Sequence, residues 1–516
     1  MRTGMRFLLG LGAVLPAAAG AVAGDAAPRR PNIVLILADD LGWSDIGCYG
    51  AEVDTPNLDR LAAGGIRFTQ FYNTSKCFPS RACLLTGLYA QQCGMDRAPG
   101  ELRNAVTLAE VLRAAGYRTL MAGKHHGTEN PCDRGFDRYF GLRDGACNYF
   151  NPGRQRPGEG QPAQKSAKRA WCIDHQTYAP YTPPEKDFYT TDYFTRFALG
   201  CLDQYRGEGK PFFLYLAYNA PHDPLMAWPE DIARYAGRYR EGYAAVRQAR
   251  YGRQIASGLI DKTFPISAPT FVPWSGLGDR RKEEERKMEV YAAMIDRMDQ
   301  NIGKVLDKIR SMGEEENTLV LFCSDNGASG EVVRLSGGTG EIGEMTRWTS
   351  LGEDWMNVCN VPFRFGKNSS FEGGVCTPLV AYWPAGISKP GRVSRETGHF
   401  IDFMPTLLEA AGAAYPKTYG GRSILPYEGV SLMPVFRGEA LARKAPLFFQ
   451  WAGGRAVREG RWKLVSRKRD DWELYDMETD RAELRDLSAE QADVVRRLAG
   501  LYDAWLARCQ AQGQGG

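Results

Sequence analysis

Paired cysteine motifs, charge excess and histidine are what this 516-residue chain has little of. Its twelve cysteines are scattered with no C-x-x-C pair, which excludes a zinc ribbon and a dense disulfide framework. Lys and Arg number 65 against 61 Asp and Glu, a net charge of +4 that gives no reason to expect nucleic acid or a membrane surface as partner. Beyond the N-terminus no stretch reaches the ~18 uninterrupted apolar residues of a spanning helix, so no stable membrane insertion is expected. No internal repeat is visible. With only five histidines, where they fall carries weight.

What is present is an ordinary globular composition, 43% hydrophobic and 24% charged, ample for a large core. Arg2 and Arg6 precede the apolar run "FLLGLGAVLPAAAGAVAG", which ends in the small residues Ala21-Val22-Ala23. That order describes a secretory signal peptide, expected over residues 1–24, and an exported protein, periplasmic or secreted.

Short apolar runs bounded by turn signals predict buried parallel strands at "NIVLIL" (32–37), "RTLMAG" (118–123), "PFFLYLAY" (211–218) and "TLVLFCS" (318–324). Amphipathic patterns over 104–116 and 288–312 predict helices between them. The alternation indicates an α/β fold with a large, mainly parallel sheet. The segment 151–170 carries five Arg or Lys against one Glu and reads as a loop. Its charge could attract an anionic substrate, although a solvated surface loop explains it more simply. The segment 223–285 reads as irregular structure around short helices. After a Pro- and Gly-rich link, "PLFFQW", "RAVREGRWKLVSR" and "DDWELYDM" predict short antiparallel strands, followed by a helix over 489–508. The expected division is a catalytic domain over 30–415 and a smaller α+β subdomain over 416–510.

In open α/β sheets ligands sit beyond the carboxyl ends of the strands. Here those ends run into Asp39-Asp40, Lys124-His125-His126, Asn219-Ala220-Pro221-His222 and Asp325-Asn326. Singly, each has a plain explanation as a cap, turn or structural histidine. Together they place three of the five histidines, three carboxylates and an amide carbonyl where one cleft could gather them. Such an oxygen-rich set suits Ca²⁺ or Mg²⁺ rather than zinc.

The stretch "SKCFPSRACLLTG" (75–87) sets Cys77 before Pro79, which fits the first position of a helix. A helix start favours an anion, which suits either a lowered-pKa thiol or an oxyanion derived from that side chain. "CFPSR" matches the C-x-P-x-R signature of type I sulfatases, and the chain resembles that family from "RPNIVLILADDLGWSDIGCYG" to "RAVREGRWKLVSRKRDDWELYDMETDRAEL". "NVPFRFGKNSSFEGGVCTPLVAYWPAGI" (360–387) is most similar to the arylsulfatase branch of this alkaline-phosphatase-like superfamily.

The resemblance implies a sulfate-monoester hydrolase acting on aryl sulfates or sulfated polysaccharide fragments. It implies that a maturation enzyme converts Cys77 to formylglycine, whose hydrate supplies the nucleophile, and that Asp39, Asp40, Asp325 and Asn326, with residue 77, ligate calcium. Arg81 would hold the diol, Lys124 and His126 would stabilise diol and sulfate oxygens, and His222 and Lys367 would stand at the leaving-group side. A sulfate ester needs such a set because negatively charged oxygens shield the sulfur from a nucleophile. Phe371 replaces a histidine frequent in related arylsulfatases, and "FFQWAGG" (448–454) replaces an acidic, His-containing run; both are expected near substrate. A phosphodiesterase or phosphonate hydrolase of the same superfamily, and an inactive sulfated-glycan-binding relative, are the competing readings.

Overall fold

The computed structural model describes Met1, Gly4 and residues 29–514, apart from 167, 336, 337, 469 and 470. The expected leader lies almost wholly outside the described residues.

Ten strands form the central sheet: β1 (Asn32–Asp39), β2 (Ile66–Tyr72), β3 (Arg118–Gly123), β4 (Arg138–Leu142), β5 (Trp171–Ile173), β6 (Gln176–Tyr178), β7 (Phe212–Pro221), β8 (Thr318–Ser324), β9 (Cys376–Tyr382) and β10 (Arg392–His399). Their order is β10-β2-β9-β8-β1-β7-β3-β4-β5-β6. At the centre, β8, β1, β7, β3 and β4 are all parallel, while β9 runs antiparallel between β8 and β2. The four predicted strands are β1, β3, β7 and β8. β1, β7 and β8 are buried along their whole length, which is why each reads as an unbroken apolar run. Because they are parallel neighbours, their carboxyl ends lie side by side.

The helices Thr190–Tyr205 and Arg280–Ser311 pack against β7. The second of these starts eight residues before the predicted 288, with a charged, largely exposed first two turns. The predicted helix over 104–116 is shorter, Leu108–Ala114, because Thr107 and Glu110 form a reciprocal capping box that fixes its start. Within 223–285, expected to be irregular around short helices, Gly242–Ala256 is a regular helix of 15 residues.

After a small hairpin, β11 (Thr418–Tyr419) and β12 (Arg422–Ser423), a four-stranded antiparallel sheet follows. Its strands are β13 (Leu447–Trp451), β14 (Gly454–Glu459), β15 (Trp462–Ser466) and β16 (Glu473–Asp476), in that order, and a final helix spans Ala492–Gln514. The architecture is the expected α/β sheet with a smaller antiparallel layer. No helix among the described residues is long and apolar enough to cross a membrane.

Candidate active site

The carboxyl ends of β8, β1, β7 and β3 carry the polar residues, and local backbone geometry turns them together. Asp40 and His126 both have φ of 64°, the left-handed region that Asp and His tolerate better than most residues. Gly123 has φ of 117°, and a Cβ there would stand 1.9 Å from the Ala217 carbonyl oxygen. Only glycine lets β3 approach β7 so closely, and the next residue, Lys124, donates its N–H to the same carbonyl at 2.7 Å.

Cys77 opens the helix Cys77–Thr86, so it occupies the first helical position and Pro79 the third, not the first as the sequence suggested. Proline costs nothing at either place, because the N–H groups of the first turn have no partner inside the helix. The cysteine is 1% exposed. Burial pushes its thiol up to about 12, against the pull of Lys124 and Lys367. Of the two alternatives the sequence left open, the lowered-pKa thiol is the one the structure contradicts: desolvation of the thiolate outweighs the nearby positive charge.

Around Cys77 the charges are paired. Lys124 bonds Asp39 Oδ2, and Lys367 Nζ bonds Asp40 Oδ2 at 2.8 Å. Arg81 Nε donates to Asp325 Oδ2 at 2.9 Å, and its Nη1 donates to the Lys124 carbonyl at 2.6 Å. Asn326 Nδ2 donates to Asp40 Oδ1 at 2.7 Å. His222 Nδ1 lies 2.6 Å from the Asp223 carbonyl, which can only accept, so Nδ1 carries the proton. Its Nε2 then offers a lone pair to Lys367 Nζ at 3.3 Å.

Burial alone would raise Asp40, but His222, Lys367 and Lys124 hold it well below the ordinary carboxylate range. Burial and the two ammonium groups push His222 down to about 3 against the attraction of Asp40. Burial and Lys124 lower His126. Burial would lower Lys367, yet Asp40, Cys77 and Glu331 raise it, so its ammonium keeps its proton. Burial and Asp39 raise Asp325 to about 6 against Arg81.

One ligand atom from each of Asp39, Asp40, Cys77 and His222 falls within 4.8 Å of the others. Two further acceptors, Asp39 Oδ1 and Asn326 Oδ1, are buried with no hydrogen-bond donor. Buried oxygens without donors are what a hard divalent cation satisfies, so the donor set fits such an ion.

Cys77, His126, His222 and Lys367 line an open cleft of about 620 Å³, while Lys124, Arg81 and the three aspartates are buried and do not line it. His125 does not line it either. Phe371, expected near substrate, is instead a core residue, 1% exposed and packed on Phe365 at 5.0 Å. Trp451, from the other divergent stretch, lies edge-on to Phe78 at 5.1 Å and donates to Asn368 Oδ1 at 2.9 Å. Sequence reasoning missed Glu331, which bonds Lys367 and Lys76 at 3.1 Å each, and Arg143 and Asp223, which line the cleft. Glu331 and Arg143 sit on loops without periodicity; Asp223, adjoining His222 at the end of β7, was the one a signal could have found.

The family profile described as Sulfatase matches residues 31–413. The chain belongs to the sulfatase family. A second profile, N-sulphoglucosamine sulphohydrolase, C-terminal, matches residues 363–501. This sulfatase is 34% identical over 450 residues to the arylsulfatase of Klebsiella aerogenes, covering 81% of this chain and 95% of that one. It is 31% identical over 471 residues to human arylsulfatase A, covering 86% and 76%. Among solved structures it resembles Ps i-CgsB in complex with k-i-k-neocarrahexaose, at a TM-score of 0.69 and 26% identity over 94% of each chain. The phosphonate monoester hydrolase of Agrobacterium radiobacter shares the fold, at a TM-score of 0.59 and 21% identity over 94% and 96%. The sulfatase is thus a sulfuric ester hydrolase of alkaline-phosphatase-like fold.

Proposed function

We propose that this sulfatase hydrolyses a sulfate monoester of a carbohydrate or aryl alcohol at the cleft over Cys77, as an exported enzyme whose cysteine is matured to formylglycine and whose carboxylates hold calcium. The observation that carries this is the seat of Cys77: buried beside two lysines and an arginine that are paired to three aspartates. A thiol held at about 12 is a poor nucleophile at neutral pH, which supports a precursor role. Formylglycine, once hydrated, would supply the attacking oxygen, and Asp39, Asp40, Asp325 and Asn326 would hold the cation that neutralises sulfate charge.

The chain's other residues have separable tasks. Lys124 and Lys367 offset the negative sulfate oxygens, and Arg81, fixed by Asp325, orients residue 77. His222, with its proton on Nδ1 and its Nε2 3.3 Å from Lys367 Nζ, stands with Lys367 at the leaving-group side, where one of the two would protonate the departing oxygen as general acid. His126 lines the cleft as a neutral imidazole and would bond the diol and sulfate oxygens. The carbohydrate reading is supported by the Ps i-CgsB complex and by relatives named N-acetylgalactosamine-6-sulfatase. The catalytic unit is assigned to 30–415 and the α+β subdomain to 416–510.

The mass of the tryptic peptide Cys77–Arg81 from natively produced enzyme tests this. Formylglycine at residue 77, together with loss of turnover but not of folding in Cys77→Ala, is the expected outcome. An unmodified thiol in fully active enzyme overturns it. Matched sulfate and phosphonate esters should favour sulfate in kcat/KM.

A further inference from the structure

A second cleft, of about 1160 Å³, adjoins the first, and Val333 and Trp348 line both. Its charge differs in kind. The active-site cleft mixes cations with Asp144, Asp223 and Glu331, whereas the second is lined by Arg154, Lys168, Arg334 and Arg347 and by no carboxylate. Arg154, Lys168 and Arg334 form no ion pair among the described residues, and Arg347 is paired with Glu283 at 4.0 Å and donates to the Gly340 carbonyl at 3.5 Å. Four cations facing one hollow repel one another unless an anion enters.

A second observation is independent of charge. Trp348 is 9% exposed and its Nε1–H has no acceptor, although it stands on the wall common to both clefts. Gln164, which lines the second cleft only, has its Oε1 buried without a donor among the described residues. Buried polar groups without partners are uncommon, and both of these belong to residues of the cleft's lining. Pro162, Pro180 and Leu335 add apolar surface of the kind a sugar ring covers. The basic segment 151–170 is also held in place. Ala163 donates to the Met345 carbonyl at 3.0 Å, and Asn148 Nδ2 donates to the Ala163 and Met345 carbonyls at 3.0 and 2.8 Å. Four of its five cations divide between the clefts, Lys165 and Arg169 lining the first, Arg154 and Lys168 the second, while Arg156 is paired with Glu159.

We propose that this second cleft binds a further anionic group, sulfate or carboxylate, on a neighbouring sugar of an oligosaccharide substrate whose scissile sulfate lies over Cys77. The proposal rests on the sulfatase reading and makes the enzyme one that prefers multiply charged chains to isolated aryl sulfates. Charge-assisted bonds from these cations favour such a ligand without acting on the reacting atoms.

The test is the full-length triple variant Arg154→Ala, Lys168→Ala, Arg334→Ala, three exposed side chains without ion pairs whose removal leaves the core untouched. Binding is measured calorimetrically on a Cys77→Ala background with tetrasaccharides of carrageenan, of chondroitin sulfate and of carboxyl-reduced chondroitin sulfate. At least one should bind roughly tenfold more weakly to the triple variant. With Cys77 intact, kcat/KM for 4-nitrophenyl sulfate should stay within about twofold of wild type. A loss that disappears on carboxyl reduction identifies a carboxylate; a loss that persists identifies a sulfate. If no tetrasaccharide binding is weakened, or aryl sulfate turnover falls equally, the second cleft is not a subsite. Failure of wild type to release sulfate from any of these compounds would instead overturn the sulfatase reading, whatever binds.

Discussion

Burial acts on Cys77 and His399 in opposite directions, because it disfavours whichever form is charged. The thiol is pushed up and the imidazole down, His399 to about 3, with Arg443 adding to the effect. His399 is fully buried at the end of β10, where its Nδ1 accepts the Ile401 N–H at 3.2 Å. An unfolded histidine titrates near 6.5, so between about 6.5 and 3 the unfolded chain binds a proton here that the folded chain refuses. Its contribution is therefore complete above about pH 6.5 and lost as pH falls, at about 1.4 kcal/mol per pH unit. His399→Asn keeps an oxygen for Ile401 and removes the titration. Urea unfolding of both proteins from pH 7 to 4.5 should show the stability gap shrinking at about that slope. A gap independent of pH would contradict the assignment. At this scale the sequence shows which residues meet at the strand ends, since each sits beside an apolar run. It does not show their proton affinities, because these depend on neighbours hundreds of residues away, as Asp40 does on Lys367.

In the central sheet, the strands that stand as isolated apolar runs, β1, β3, β7 and β8, were legible as elements; β9 and β10 were not. β10, "RVSRETGH", is an edge strand with only part of its length buried, and β9 follows directly on the turn Glu372–Val375, so neither presents a clean period. The four antiparallel strands at the C-terminus were legible from their spacing, but not what fastens them. Lys463 on β15, 0% exposed, lies between Glu372 at 2.9 Å and Glu483 at 2.8 Å. Glu372 also accepts from Tyr72 of β2 at 2.9 Å and from Arg481 at 3.1 Å. Burial would raise Glu372, yet Lys463, Arg481 and Arg458 hold it at about 2. One buried cation thus joins the two sheets. Lys463→Met should cost about 3–5 kcal/mol in urea unfolding, because it takes the cation from buried Glu483 and leaves buried Glu372 to Arg481 alone. Lys463→Met combined with Glu372→Gln should recover about 1–2 kcal/mol of that, the two being neighbours in one network. Simple additivity would show that Lys463 works through packing alone.

At the scale of the whole molecule, the parts before and after the proposed division at residue 415 are tied together by buried charge and packing. Besides Lys463, the later part reaches back through Arg458 to the Tyr72 hydroxyl and from Gln91 Nε2 to Gln450 Oε1 at 2.7 Å. Trp505 packs edge-on to Tyr89 at 5.1 Å, and Trp451 to Phe78, the residue after Cys77. Removing residues 416–516 would leave Glu372 buried without Lys463 or Arg481 and bare the side of the helix that begins with Cys77. A chain of residues 30–415 should accordingly be insoluble or lack native near-ultraviolet circular dichroism. The full-length enzyme should unfold in one calorimetric transition whose enthalpy equals the van't Hoff value. Two resolved transitions, or a folded and active 30–415 fragment, would mean that the buried ion cluster is an accessory of the fold. A single transition would make the C-terminal sheet and the central sheet one cooperative unit.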